Sequence, residues 1–361
     1  MTILLFAIGL VFLIIGAEAL VRGASRMTAA LGISPLVIGL TVVAFGTSSP
    51  ELAVSIKSAL SGQASIALGN VVGSNIFNVL FILGLSALIV PLTVAQQLVR
   101  LDVPLMVGLS VVVLVLSLDQ NIGRSDGLML VLGLILYIFF LIYQSRKERR
   151  QIVAEYANEI APKSNIQRGW AKNIGLIVGG LVLLVLGSRW LVDSAVSFAQ
   201  HLGVSELIVG LTIVAAGTSL PEVVTSVIAA MRGERDIAVG NVVGSNIFNM
   251  MGVLGFAGVV APTGIEVSSA VVGFDLPVMI AVALACLPIF FTGGVISRRE
   301  GALLLGYYMI YTSYLILAAS HHDALPMFST VMLYFVIPFT VIITIIVTLQ
   351  EIRRRKYGLS D

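Results

Sequence analysis

Long apolar runs separated by short polar segments are the main pattern along this chain. They fall at about 3–22, 35–60, 65–90, 102–118, 127–144, 173–192, 206–231, 236–262, 272–292, 301–319 and 327–350. Each run is near the roughly 20 residues that an α-helix needs to cross the hydrocarbon core of a bilayer. The pattern therefore predicts an all-α polytopic membrane protein.

The composition agrees with a protein that resides in a bilayer. Of its residues, 58% are hydrophobic and 11% are charged, whereas a soluble domain has roughly 25% charged residues. A net charge of +2 gives no reason to expect a nucleic-acid partner. The single cysteine, Cys286, excludes an intrachain disulfide. Since no Lys or Arg precedes the first run, we expect a retained helix rather than a cleaved signal peptide.

Basic residues predict how the chain is oriented. If the N-terminus is outside, the two densest basic segments, 145–172 and 353–356, lie in the cytoplasm. The opposite loops contain little beyond Lys57 and Arg124. The positive-inside rule therefore predicts an outside N-terminus and a cytoplasmic C-terminus, in what we expect to be a prokaryotic inner (plasma) membrane.

An internal repeat divides the chain into two halves. The segment Gly69-Asn70-Val71-Val72-Gly73-Ser74-Asn75-Ile76-Phe77-Asn78 recurs letter for letter at 240–249, which is 171 residues later. Gly46-Thr47-Ser48-Ser49-Pro50-Glu51 recurs at the same offset as Gly217-Thr218-Ser219-Leu220-Pro221-Glu222. Each half contains five runs, and because five is odd the second half enters the membrane inverted. This arrangement is typical of secondary transporters, whose sites lie at the midplane between the halves.

The repeat gives a five-part organisation of the chain. We predict a first repeat of five transmembrane helices, a basic cytoplasmic loop, a second repeat of five helices, an additional transmembrane helix, and a basic cytoplasmic tail. Their boundaries are 1–144, 145–171, 172–320, 327–350 and 351–361.

Glu51 and Glu222 are the principal candidates for function. Each lies in the middle of an apolar run, where a carboxylate costs roughly 2.5–3.5 kcal/mol on insertion scales. Pro50 removes a backbone donor close to Glu51, and a broken helix at that depth is tolerated only where it is buried in protein or lines a wet cavity. No cation lies at matching depth in the helices of the repeated motifs, so a structural ion pair is disfavoured.

Polar residues at helical spacing accompany each glutamate. The stripe on the second run contains Thr41, Ala44, Ser48, Glu51, Ser55 and Ser58, and the stripe on the third contains Asn70, Ser74 and Asn78. Such a set offers only oxygen ligands, which suit a hard cation such as Ca²⁺. Two carboxylates match the charge of one Ca²⁺, but Na⁺ ions or protons could neutralise the same pair. Asn75 and Asn246 are interpreted as bridges between helices.

These motifs resemble the two alpha repeats of the cation/calcium exchanger superfamily, and most closely those of prokaryotic sodium/calcium exchangers. The resemblance covers about residues 1–320. It implies ten helices in two inverted halves with four central ion sites, and a first and a sixth helix that slide over the remainder.

Site residues follow from the resemblance. The calcium site would contain Glu51 and Glu222 with the carbonyl groups of Thr47 and Thr218. The sodium sites would be completed by Ser48, Ser74, Ser219, Ser245 and the carbonyl groups of Ala44 and Ala215, and Asn78 would flank the centre. Asn249 occupies a position where characterised relatives have an aspartate. Calcium/proton exchangers carry an acidic residue in this helix, so Asn78 and Asn249 argue against that branch.

The sequence therefore predicts a secondary active antiporter that exchanges Na⁺ for Ca²⁺ by alternating access, with three sodium ions per calcium as the resemblance implies. The alternative is a proton-coupled Ca²⁺ antiporter that uses the same two glutamates. A channel is disfavoured by the inverted repeats. No enzyme activity is expected, because no His or Cys lies beside the acidic pair, and no cofactor is expected beyond the transported ions.

Overall fold

The computed structural model describes residues 2–31, 33–155, 170–202, 209, 212–213, 215–320, 322, 324–338, 341–342, 345–346, 349–350 and 353. Its helices in chain order are α1 (Thr2–Leu31), α2 (Pro35–Thr47), α3 (Ser49–Leu60), α4 (Ser65–Ile89), α5 (Leu98–Leu116), α6 (Arg124–Glu155), α7 (Trp170–His201), α8 (Leu220–Met231), α9 (Arg235–Val260), α10 (Val271–Phe291), α11 (Arg298–Ala319) and α12 (Leu325–Tyr334). A short helical segment, Ala215–Gly217, precedes α8.

The helices follow the predicted apolar runs. Within the described residues, eight helices are long and apolar enough to cross a membrane, and α2 with α3 makes a ninth span. Most of residues 206–214 in the run 206–231, and half of residues 339–350 in the run 327–350, lie outside the described residues. The protein is therefore an all-helical membrane protein, while the count of ten crossings in two halves stays a prediction.

Several helix boundaries differ from the predicted ones, since α1 and α7 continue to Leu31 and His201, beyond the predicted runs 3–22 and 173–192. Helix α5 begins at Leu98 rather than at 102, and α6 continues to Glu155, well beyond the end of its apolar run at 144. The polar, basic residues after 144 can remain helical in water, and hydropathy does not mark where such a helix ends. Residues 156–169 of the basic connection and all of the tail except residue 353 lie outside the described residues.

The run 35–60 breaks where the sequence predicts. Helices α2 and α3 meet at a bend of 46°, because Pro50 has no amide proton to donate to the carbonyl group of Gly46. The Ser49 hydroxyl donates to that carbonyl instead, at 2.7 Å. The equivalent carbonyl before α8, that of Gly217, accepts from the Ser188 hydroxyl of α7, also at 2.7 Å. Both carbonyl groups that proline frees are therefore hydrogen-bonded.

Two small antiparallel sheets connect loops that are distant in sequence. Strand β1 (Leu92–Thr93), which follows α4, pairs with β4 (Val295–Ile296), which precedes α11. Strand β2 (Asn121–Ile122), which follows α5, pairs with β3 (Ile265–Glu266), which follows α9. Six predicted crossings separate β1 from β4 and four separate β2 from β3, so the partners lie on one side of the membrane in each case.

Helices α1 and α7, which begin the two halves, pack closely along each other. A Cβ atom on Gly16 would lie 2.8 Å from the carbonyl oxygen of Gly180, and a Cβ on Gly180 would lie 2.6 Å from that of Gly16. Gly9 and Gly187 make the same reciprocal contact about two helical turns further along. Small residues of this kind allow membrane helices to approach backbone to backbone.

The centre of the molecule is formed by α4 and α9, the helices that carry the repeated Gly-Asn motif. Buried residues make up 72% of the apolar stretch of α4 and 89% of that of α9, against 33% or less in α1, α5, α6, α7, α10 and α11. The two helices that carry the repeated motif are thus the most enclosed ones, which places their amide and hydroxyl groups away from lipid.

Candidate ion-binding site

Both glutamates lie at the start of a helix that follows a break. Glu51 is in the first turn of α3 and Glu222 is in the first turn of α8, and each residue is only 1% exposed. The N-terminal end of a helix stabilises negative charge, because its first amide groups have no partner within the helix. The breaks at Pro50 and Pro221 therefore give each buried carboxylate a favourable local field.

Each glutamate is bonded by a serine from the opposite half. The Ser48 hydroxyl donates to Oε1 of Glu222 at 2.9 Å, and the Ser219 hydroxyl donates to Oε1 of Glu51 at 2.8 Å. Since Ser48 lies three residues before Glu51 and Ser219 lies three residues before Glu222, each carboxyl group lies against the start of the other glutamate's helix. The acidic pair is therefore a single site at the interface of the two repeats.

Several oxygen atoms of the predicted site residues are buried and have no hydrogen-bond partner among the described residues. They are Oε2 of Glu51, Oε2 of Glu222, Oδ1 of Asn78, Oδ1 of Asn249 and Oγ of Ser245. Burying an acceptor without a partner costs free energy, so such atoms in a native structure call for a ligand or a water molecule. Four of the five are carboxylate or amide oxygens, which can only accept, and this arrangement suits a cation.

The donor set contains only oxygen atoms. Within the described part of the chain, no three His, Cys, Asp or Glu side chains gather into a metal cluster. Two carboxylates with neutral amide and hydroxyl oxygens match the preference of Ca²⁺ and of other hard cations, and they do not suit a metal that prefers nitrogen or sulfur ligands.

Asparagines of the repeated motif attach the central helices to the helices that carry the glutamates. Nδ2 of Asn70 donates to the Ser55 hydroxyl at 3.1 Å and Nδ2 of Asn241 donates to the Ser226 hydroxyl at 2.9 Å. The Thr47 hydroxyl in turn donates to Oδ1 of Asn241 at 3.1 Å. These contacts repeat the 171-residue offset in three dimensions and hold the two glutamate helices at equivalent positions.

The structure brings most of the predicted site residues together in the buried centre. Those that are buried there are Ala44, Thr47, Ser48, Glu51, Ser74, Asn78, Ser219, Glu222, Ser245 and Asn249. Thr218 is half-buried and its hydroxyl lies beside Glu51. The carbonyl group of Ala44 accepts from the Ser48 amide at 3.0 Å. Only the backbone of Ala215 is described, at the start of the segment Ala215–Gly217.

Sequence reasoning did not include Asn75 and Asn246 in the site. Both are buried beside Asn78 and Asn249 and hydrogen-bond to them across the half interface. The interpretation as bridges between helices matches their contacts with each other's backbone. Asn75 also contacts Asn249, and Asn246 also contacts Asn78. The only sequence signal for these contacts is that the asparagines recur together in both copies of the repeat.

Comparisons with known proteins cover nearly all of the two halves. The profile of the family described as sodium/calcium exchanger protein matches residues 1–144 and 172–317. The sodium/calcium exchanger MaX1 of Methanosarcina acetivorans is 35% identical over 339 residues, which cover 85% of this chain and 96% of MaX1. The inner membrane protein YrbG of Escherichia coli is 35% identical over 313 residues, covering 86% of this chain and 95% of YrbG.

A solved structure shows the same fold. The sodium-calcium exchanger NCX_Mj, in crystals soaked with zero Na⁺ and Ca²⁺, superposes with a TM-score of 0.73 at 28% sequence identity. The superposition covers 87% of this chain and 98% of NCX_Mj. The arrangement of helices around the buried pair is thus shared with an experimentally determined membrane exchanger.

Proposed function

This chain belongs to the sodium/calcium exchanger family, and we propose that it exchanges Na⁺ for Ca²⁺ at the pair Glu51 and Glu222 by alternating access. Membership of the family makes it a multi-pass membrane protein and a cation/Ca²⁺ antiporter rather than an enzyme. The choice of counter-ion and the assignment of the site to these residues are the parts that we propose.

One observation carries the proposal, namely the reciprocal contact of the two glutamates with serines of the opposite half. This contact supports the proposal because it brings together two acidic side chains, each with an unpartnered oxygen, from the two repeats. A movement of α1 and α7 over the other helices would change which side of the membrane this site faces without separating the two glutamates. Alternating access requires such a site.

Coupling follows from the cost of leaving the pair without a cation. Two carboxylates buried away from water repel each other and lack solvation, so a site without bound cations is unfavourable. One Ca²⁺ neutralises them, and so do two Na⁺ ions. Each ion can therefore leave only when the other replaces it. With three Na⁺ per Ca²⁺, each cycle moves one net charge, worth about 2.3 kcal/mol per 100 mV.

Two findings support Na⁺ rather than H⁺ as the counter-ion. The names of MaX1 and NCX_Mj pair sodium with calcium. In addition, Asn78 and Asn249 supply neutral carbonyl oxygens at the site rather than further titratable groups. Proton coupling through the two glutamates is the rival outcome of the experiment below.

We propose an inner-membrane location with the N-terminus outside and the C-terminus in the cytoplasm. The name of YrbG, an inner membrane protein, supports the location. The concentration of basic residues in 145–172 and 353–356 supports the orientation.

Transport by reconstituted vesicles tests the function. Vesicles loaded with Na⁺ should take up ⁴⁵Ca²⁺ when diluted into sodium-free buffer, and uptake should be faster when the vesicle interior is positive. A pH gradient imposed without sodium should drive no uptake. Calcium uptake that follows the pH gradient and ignores sodium would replace Na⁺ by H⁺ in the proposal.

The variants Glu51→Gln and Glu222→Gln test the site. Each keeps the size of the side chain and removes its charge, so we expect exchange to be lost while the protein still folds. Glu266→Gln, at an exposed position of β3, is the matched control and should transport as the native chain does. Exchange that persists in either site variant would remove the acidic pair from the proposal.

A further inference from the structure

Four asparagine side chains form a connected group at the centre of the molecule. Asn75 and Asn78 come from α4, Asn246 and Asn249 come from α9, and each is no more than 2% exposed. Sequence reasoning assigns Asn78 and Asn249 to the ion site and leaves Asn75 and Asn246 as bridges. The hydrogen bonds among the four give the second pair an additional role.

Backbone carbonyl groups fix which way the bridging amides face. Nδ2 of Asn75 donates to the carbonyl oxygen of Asn246 at 3.3 Å, and Nδ2 of Asn246 donates to the carbonyl oxygen of Asn75 at 3.2 Å. A carbonyl oxygen can only accept a hydrogen bond. The NH₂ group of each bridging side chain must therefore face the opposite backbone, and its Oδ1 must face the other way.

The fixed Oδ1 atoms then orient the other two asparagines. Oδ1 of Asn75 accepts from Nδ2 of Asn249 at 3.1 Å, and Oδ1 of Asn246 accepts from Nδ2 of Asn78 at 2.9 Å. With their NH₂ groups used in this way, Asn78 and Asn249 present Oδ1 on the remaining side. These two Oδ1 atoms are buried and have no hydrogen-bond partner among the described residues.

Reversing either terminal amide would have two unfavourable consequences. An oxygen of Asn249 would face the oxygen of Asn75, and two buried acceptors would be left without a donor. The NH₂ group would then take the place of the unpartnered oxygen, and a donor cannot coordinate a cation. A carbonyl oxygen is a ligand of hard cations, so the observed orientation is the one that contributes to binding.

We propose that Asn75 and Asn246 are positioning residues that turn the carbonyl oxygens of Asn78 and Asn249 toward the transported cation. The inference rests on the proposed function. It adds that each bridging amide is fixed by the backbone of the opposite repeat and aligns a ligand that belongs to that same opposite repeat.

A double-mutant cycle separates positioning from simple bridging. Asn75→Leu should raise the Ca²⁺ concentration for half-maximal uptake roughly tenfold or more, the effect of losing one strong interaction with a charged group. In an Asn249→Ala background it should add no further increase, because the side chain through which Asn75 acts is absent. The matched control is Asn78→Ala, a background in which Asn75→Leu should still raise that concentration to a similar extent.

The outcomes distinguish the possibilities. A bridge without a positioning role would lower the thermal stability of the protein similarly in both backgrounds and would raise half-maximal Ca²⁺ by the same factor with or without Asn249. That result, or an unchanged affinity in Asn75→Leu, would overturn the inference. Native protein that shows no sodium-driven Ca²⁺ uptake would instead overturn the proposed function.

A second measurement does not require Asn75→Leu to fold. In native protein labelled with ¹³C at the side-chain carbonyl of asparagine, Ca²⁺ should lower the frequency of an infrared amide band. The shifted component should diminish in Asn78→Ala and in Asn249→Ala. A spectrum that does not respond to saturating Ca²⁺, in protein that binds the ion, would show that neither carbonyl group faces it.

Discussion

At the scale of single residues, the hydroxyl groups that contact the glutamates decide how the carboxylates are presented. Ser48 and Ser219 each donate to Oε1 of one glutamate, and in both cases Oε2 remains unpartnered. A hydrogen bond to a charged group contributes about 1.5–3 kcal/mol. The serines therefore orient each carboxylate so that its second oxygen is available to an ion.

We predict that Ser48→Ala and Ser219→Ala each weaken Ca²⁺ binding by roughly 10- to 150-fold, which corresponds to the loss of about 1.5–3 kcal/mol. Titration calorimetry of the purified protein measures the change. Ser117→Ala is the control, because the buried Ser117 hydroxyl donates only to the carbonyl group of Val113 in its own helix, at 2.7 Å. Unchanged affinity in both site variants would contradict the assigned role of the serines.

At the scale of helices, α1 and α7 form a pair whose contacts with the rest of the molecule are partly polar. The Glu18 carboxylate pairs with Arg22 in its own helix and with Arg232 at the end of α8. The Ser25 hydroxyl donates to Glu234, which precedes α9, at 2.5 Å. Glycines thus allow α1 and α7 to pack tightly against each other. Hydrogen bonds and ion pairs connect α1 to the ends of α8 and α9 that we expect to be cytoplasmic.

Two adjacent glycines of α7 give opposite predictions. Gly180→Ala would place a Cβ 2.6 Å from a backbone oxygen of α1, and overpacking of this kind costs about 1–3 kcal/mol. Gly179→Ala meets nothing within 4 Å and gains helix propensity of up to about 1 kcal/mol. Thermal unfolding in detergent should show a lower midpoint for Gly180→Ala and an equal or higher one for Gly179→Ala. Equal midpoints would show that α1 and α7 can move apart to accept the added methyl group without loss of stability.

The sequence predicts the break between α2 and α3 and leaves the partners of the freed carbonyl groups undetermined. Gly46 and Pro50 mark the position, and the bend is there. That the Gly46 carbonyl accepts from Ser49, and the Gly217 carbonyl from Ser188 of α7, depends on tertiary packing in the second case. Leu220 stands in place of Ser49 in the second half, so a hydroxyl from another helix takes its role.

At the scale of the whole molecule, the predicted crossings put the two small sheets on opposite faces of the membrane. Pairing of β1 with β4 and of β2 with β3 joins loops of different halves on each side. With the N-terminus outside, the first sheet is cytoplasmic and the second is external. The sheets therefore provide fixed positions at which the orientation can be measured.

We predict that Thr263→Cys is labelled by a membrane-impermeant maleimide in intact cells and that Thr93→Cys is labelled only after permeabilisation. Both threonines are exposed, Thr93 in strand β1 and Thr263 two residues before β3. The single native cysteine, Cys286, is buried and is replaced by alanine in both variants. The reverse pattern would show that the N-terminus is cytoplasmic, and external labelling of both would show that the sheets do not lie on opposite faces.

The sequence by itself determined the membrane-spanning helices, the repeat, the breaks and the acidic pair. These features are local or periodic. Few structures are compatible with them in a bilayer, because unsatisfied backbone groups and charged side chains are unfavourable in its hydrocarbon core. The tertiary structure decided which oxygens are already hydrogen-bonded and which remain free for an ion. Those contacts join residues about 171 positions apart, and their geometry depends on how two inverted halves pack, which no periodicity along the chain encodes.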